Sequence, residues 1–212
     1  MDDEHPDRAE HILEVALMLG ERDGWDTVHL HDVARYMGVG LTEIHPHYRQ
    51  KDDLAEAWFD RADLALIRAG QAADWEGLSV RERLLRTILA WFDALATHRE
   101  PSIQMLRYKL QPDHLHLQAA GLMRISRTVQ WIRETAQLPA VGRRREIEEV
   151  VLTGIFLSTV GCWLSDESPD AARTRAPSRI SHFTHCVRQP VSAPAADSRR
   201  PSSQPCPSPQ AR

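Results

Sequence analysis

The sequence predicts an all-α protein made of a small three-helix head and a larger antiparallel helical bundle. Three observations carry that prediction. Apolar residues recur at helical spacing from Ile12 to Leu164, no stretch alternates apolar and polar residues as a half-buried strand does, and Gly24 and Gly38 punctuate three short segments before the longer ones begin. A chain of 212 residues is long enough for one core or for a small module docked on a larger one.

In chain order, Ile12, Leu13, Val15, Ala16, Leu17 and Leu19 form the buried face of a first helix, and Gly24 is placed to end it with a left-handed residue. A second helix over 30–37 turns Val33 and Ala34 inward, with Gly38 as the turn, and a third segment covers 41–48. From Asp52, the residues Leu54, Trp58, Leu64 and Ile67 mark a fourth helix that reaches about residue 73 and links the head to the body. Ser79 to Glu82 has capping-box form, and Leu84, Leu85, Ile88, Leu89, Trp91, Phe92 and Leu95 supply the apolar face of a fifth.

Pro101 and Pro112 bracket a short sixth helix containing Met105, Leu106 and Tyr108. Two long helices, over 115–136 and 143–164, complete the body. The apolar run of the last, from Val150 to Leu164, is wider than one amphipathic stripe. More than one of its sides must therefore be covered, either by a subunit partner or by the rest of the bundle. After Ala176 the pattern gives way to Pro, Ser, Ala, Gln and Arg, a composition that cannot bury enough surface to offset its ordering entropy. The expected divisions are a head over 1–55, a helical body over 56–176 and a disordered tail over 177–212.

The formal net charge of −4 hides an uneven distribution. Residues 1–60 hold 15 acidic side chains against Arg8, Arg22, Arg35, Arg49 and Lys51, a balance of −10. The acidic start, residues 1–10, is unlike a signal peptide, and no run of eighteen apolar residues occurs, so a cytoplasmic protein is expected. Cys162, Cys186 and Cys206 lack the spacing of a disulfide framework or a zinc site. No phosphate loop, nucleophile elbow or activated Ser or Cys dyad is present, which makes an enzyme the least favoured class and leaves no cofactor to expect. Three His-x-His pairs, 29/31, 45/47 and 114/116, raise the question of a metal. On a helix, residues two apart point about 200° away from each other, so no metal site is expected from them.

The segment 12–54 carries the functional signal. In order and without a gap stand Gly24-Trp25-Asp26, Leu30-His31-Asp32-Val33-Ala34, Gly38-Val39, His47-Tyr48 and Lys51-Asp52-Asp53-Leu54. This arrangement resembles the TetR family of repressors. A small Ala34 where helices cross, a turn-forming Gly38 and a wedge-like Val39 are also what a helix-turn-helix requires on physical grounds. The resemblance implies a homodimer that places one recognition helix per subunit in successive major grooves of double-stranded operator DNA. By position it assigns DNA contacts to His31 on the second helix, to Thr42, His45, His47 and Tyr48 on the third, and to Lys51 at the start of the fourth. Tyr48 and Leu54 would also seat the third helix on the fourth. In the body, Trp91, Met105, Tyr108, Met123 and Trp131 are large polarizable groups of the kind that line a site for a small apolar ligand, although core packing explains them equally well.

Three departures stand against ordinary DNA binding. The head is acidic, and residues 40–48 contain Glu43 but no Lys or Arg. Pro46 falls inside the third helix, which should be kinked or short. Gly40-Leu41-Thr42-Glu43-Ile44-His45 also replaces the cation and groove-facing tyrosine usual in the family. Residues 166–174 are similar to a D-x-S-P-D-x-x-x-T segment of the TetR-fold accessory proteins of ubiquinone biosynthesis, which bind isoprenoid lipid and not DNA. The same residues also read as a helix end, a turn and a new helix. A ligand-responsive repressor is thus expected, with a lipid-binding accessory protein as the alternative and a helical enzyme third.

Overall fold

The computed structural model describes residues 4–110, 115–168 and 172–175. Among them the chain forms α1 (Glu4–Asp23), α2 (Leu30–Met37), α3 (Leu41–Ile44), α4 (Lys51–Ala69), α5 (Val80–Ala96), α6 (Arg99–Leu110), α7 (Leu115–Thr135), α8 (Arg143–Leu164) and α9 (Ala172–Arg175), with no strand. Single 3-10 turns occupy Trp25–Thr27 and Trp75–Gly77. The tail from residue 177 and His114 of the third histidine pair lie outside the described residues.

The head forms for the reasons its residues suggest. Ile12, Ala16 and Leu17 of α1 are fully buried, and α1 extends back to Glu4, ahead of the apolar run. Gly24 takes φ 91° and ψ 139°, a positive-φ conformation open to glycine but not the left-handed helical one expected. It delivers Trp25 into the core at 4% exposure, where the Trp25 amide donates to Gln104 Oε1 at 2.6 Å and ties the head to α6. Gly38 closes α2 at φ 69° and ψ 28°, with its amide donating to the Arg35 carbonyl and the Val39 amide to that of Ala34.

Regular helix in α3 stops at Ile44, earlier than the expected 41–48. Pro46 has no amide hydrogen, so the bond to the Thr42 carbonyl cannot form. Curvature nonetheless survives the gap. The His45 amide donates to Leu41 O, and beyond the proline the His47 and Tyr48 amides both donate to Ile44 O, each at 3.0 Å. The third rod is therefore short and tight rather than unwound.

In the body, α4 packs against α5 and α7, and α7 against α8, while α6 lies across α1 and the first 3-10 turn. α4 ends at Ala69 rather than near residue 73, and α6 begins at Arg99, which leaves Pro101 in a first turn where its missing donor costs nothing. Phe59, Trp91, Phe92, Phe156 and Trp163 form a continuous aromatic core with centroids 5.0–6.1 Å apart.

α8 resolves the question of its wide apolar run. Leu152, Ile155, Phe156, Val160 and Trp163 face the core, whereas Ile147, Val150 and Leu157 are 52%, 73% and 36% exposed. The described bundle covers one side only. By length and composition α8 could cross a membrane, but its inward side is packed on α7 and carries Glu148 facing Arg133. Just beyond α8, Asp166 accepts from the backbone amide and hydroxyl of both Ser168 and Thr174. The end of α8 is thus clamped to α9 through Asp166, whereas Pro169 and Asp170, on which the turn and the cap of the new helix were read, lie outside the described residues.

Candidate nucleic-acid interface

α3 and the first turn of α2 present the sequence-expected contacts unevenly. Thr42 and His45 are exposed on the outer side of α3, His31 is exposed at the start of α2, and His47 is half-buried. The inner side is held by Ile44 at 1% exposure and Tyr48 at 6%. Tyr48 is therefore a correction. Its ring is core, its hydroxyl donates to the Ala9 carbonyl at 3.0 Å, and burial beside Glu10 pushes its pKa up to about 12. It anchors the end of α3 to α1, and an anchor so buried cannot also reach a base edge.

Lys51 is a second correction of place. Its ammonium donates to the carbonyls of Trp25 at 2.6 Å and Asp26 at 3.1 Å and lies 5.3 Å from the Trp25 ring centroid. Burial lowers its pKa, with Asp26 opposing. The cation expected to meet a phosphate instead fastens the 3-10 turn to α4. Arg8, Arg22, Arg35 and Arg49 are exposed cations of the head, Arg22 beside Arg35 and Tyr36 of α2, and Arg35 is 73% exposed at its side chain.

Glu43 and Asp32 lie on this face, but much of the acidity of residues 1–60 is spent elsewhere. Asp52 and Glu56 receive Lys109, and Glu56, Asp60 and Asp63 receive Arg124. Glu10 and Glu14 pair with Arg61, and Glu21 meets His98 at 2.9 Å. Asp53 accepts from the amides of Arg49 and Gln50 at the start of α4. On α3 itself, Glu43 is paired with Arg8 and lies 3.4 Å from the Gly40 amide. The charge count thus summed groups that turn towards the body or cap helices with the few that remain beside α3.

The five body residues do not share one cavity. Trp91, at 2% exposure, is locked in the aromatic core with its indole N–H donating to Asp63 Oδ1 at 2.9 Å. Met123 and Trp131 are 72% and 43% exposed on α7. Met105 and Tyr108, by contrast, line a cleft of about 290 Å³ at the seam of head and body, together with Trp25, Lys51, Asp52 and Lys109. Lys51, read as DNA-binding, and Met105 and Tyr108, read as ligand-binding, therefore meet in one place, which their distance in sequence concealed.

No family model matches the chain, and no curated protein matches it. Among solved structures, a TetR transcriptional regulator from Nitrosomonas europaea superposes with a TM-score of 0.73 at 39% identity, over 85% of this chain and 97% of that one. The chain belongs to the TetR family of transcriptional regulators. A TetR-family regulator from Shewanella sp. PV-4 shares the fold at a TM-score of 0.50 and 16% identity, over 85% of this chain and 95% of that one.

In this TetR-family chain, the resemblance found the supports of the head more readily than its cations. Gly38, Val39, Tyr48 and Leu54 hold the three-helix unit together, and each is recognisable by residue type. Arg8 escaped notice because it lies a full helix before α3 and reaches Glu43 only in three dimensions. Arg35 lies at an outward position of α2, the position three after Asp32 and bonded to it at 2.8 Å, a spacing that was legible.

Proposed function

We propose that this protein is a DNA-binding transcriptional regulator, a cytoplasmic repressor that acts as a homodimer and releases its operator when a small apolar ligand binds. The observation that carries the reading is the outer side of α3, where Thr42 and His45 are exposed and Glu43 is paired with Arg8. Thr42, His45, His47 and His31 are the proposed contacts, Arg8, Arg35 and Arg49 the phosphate partners, and Tyr48 and Lys51 the supports. Support for the homodimer comes from α8, whose Ile147, Val150 and Leu157 stand exposed in one helical stripe with Gly154 and Gly161. The ligand reading draws on the cleft of Met105, Tyr108 and Trp25, which adjoins both α4 and α6.

The test is a gel-shift titration at low salt with duplex DNA from upstream of the chain's own coding region. A specific shift is expected, and Thr42→Ala together with His45→Ala should weaken it by about 10-fold or more, the value of one or two base contacts. Absence of any specific shift, or a shift unchanged in the double variant, defeats the reading.

A further inference from the structure

Outside the seam and the core, one cluster of metal-ligating groups shares only His31 with the proposed DNA contacts. His29, His31 and Asp32 lie at the start of α2, with one ligand atom from each within 4.8 Å of the others. Helical geometry would send His29 and His31 to opposite sides. They meet because His29 is not helical: as the residue that caps α2 it is extended, at φ −125° and ψ 155°, and its side chain makes no capping bond. Its ring is thereby free to swing over that of His31. The two rings stack with centroids 5.1 Å apart and planes inclined by 27°.

The carboxylate completes the arrangement. Asp32 Oδ2 lies 3.3 Å from His29 Nδ1, and Asp32 Oδ1 lies 3.5 Å from His31 Nε2. A tetrahedral ion with bonds of about 2.0–2.1 Å separates its ligand atoms by about 3.3 Å. Each imidazole thus lies about one such edge from a carboxylate oxygen, His29 from Oδ2 and His31 from Oδ1. Arg35 donates at 2.8 Å to Asp32 Oδ1, the same oxygen that faces His31, a bond that holds the carboxylate in place as an outer partner does in a metal centre. The side chains of His29 and His31 are 61% and 54% exposed, which leaves room for water in the remaining positions.

We propose that His29, His31 and Asp32 form a binding site for one divalent transition-metal ion of the zinc or nickel class. Two imidazoles and one carboxylate suit those borderline ions, whereas magnesium and calcium require a set of oxygens. The site goes beyond the DNA-binding reading and does not depend on it. It also revises the expectation of no metal site, which applied helical spacing to a pair whose first member precedes α2.

Calorimetric titration of the chelator-treated, tag-free full chain with Zn²⁺ and with Ni²⁺, in the absence of DNA, tests it directly. One equivalent per chain is expected, with affinity falling by more than an order of magnitude in His31→Ala and in the double variant His29→Ala/His31→Ala. The parallel variant His45→Ala/His47→Ala should bind as the parent does. Far-UV circular dichroism establishes that each variant is folded, as these exposed positions lead one to expect. The proposal is overturned if the parent takes up no ion, if uptake survives loss of His29 and His31, or if the 45/47 variant loses it equally. Because no DNA enters the titration, its failure leaves the regulator reading where the gel shift puts it.

Discussion

At the scale of single residues, Asp166 shows how one carboxylate can organise a chain end. Its burial at 2% exposure opposes the charge, yet the four bonds from Ser168 and Thr174 outweigh that cost and hold its carboxyl well below the usual carboxylate range. A depressed folded-state pKa contributes stability above the unfolded value of about 3.9, and that contribution fades as pH falls through the folded value. Asp166→Asn keeps the size, removes the charge and turns an NH₂ group towards donors. It should cost about 1–3 kcal/mol at pH 7, read as a lower thermal midpoint. The gap between parent and variant should narrow below about pH 4, since the unfolded parent then takes up a proton that its folded carboxylate still resists. A gap that stays constant from pH 7 to pH 3 would show that the clamp does not act through ionisation. Tyr48 teaches a related lesson. Its place in a family motif was legible, but whether its ring faced DNA or α1 depended on the turn around Pro46, which bends the chain so that the hydroxyl meets Ala9.

At the scale of elements, α4 is the member that belongs to both halves. Asp52, Glu56, Asp60 and Asp63 fall at successive helical turns on one side, and Lys109, Arg124 and Arg127 of α6 and α7 close on them. The innermost pair, Arg124 with Asp63, has both side chains nearly out of solvent, at 6% and 5% exposure. Burial pushes the Asp63 carboxyl up, and Arg124, Thr128 and Trp91 work against that push. Removing the cation alone leaves a buried carboxylate without its countercharge. Arg124→Met should therefore destabilise the protein by about 3–5 kcal/mol, whereas Arg124→Met with Asp63→Leu should recover most of the loss. Urea unfolding of the two variants decides it, and a double variant no more stable than the single one would place the cost in packing instead. The four-residue acidic spacing of α4 was readable in the sequence, as were α2 and α8 almost to the residue. The partners were not, because Lys109 and Arg124 lie more than fifty positions away and no local pattern points to them. For the same reason a charge sum over 1–60 says little about the surface beside α3.

At the scale of the whole molecule, the outer side of α8 decides whether one chain is the working unit. A stripe containing Ile147, Val150 and Leu157 is exposed, and a Cβ built on Gly154 or Gly161 meets nothing within 4 Å, so a second helix can approach closely along the same line. In a two-fold dimer each such residue faces its own interface twice. Val150→Glu consequently buries two like charges for one substitution, without touching the inward face of Ile155 and Phe156. An unpaired buried carboxylate costs several kcal/mol, and each 1.4 kcal/mol is about tenfold in Kd, so dimerisation should weaken by about 100-fold or more. Sedimentation equilibrium should show a dimer for the parent and a monomer for Val150→Glu at the same micromolar loading, while circular dichroism and thermal midpoint change little. Binding to a two-half-site duplex should fall with the dimer, since one head alone has only a few cations with which to hold phosphate. A Val150→Glu protein that remains dimeric would assign the interface to another face. A parent that is monomeric at every concentration would remove the two-headed mechanism altogether, whatever a single head proves able to bind.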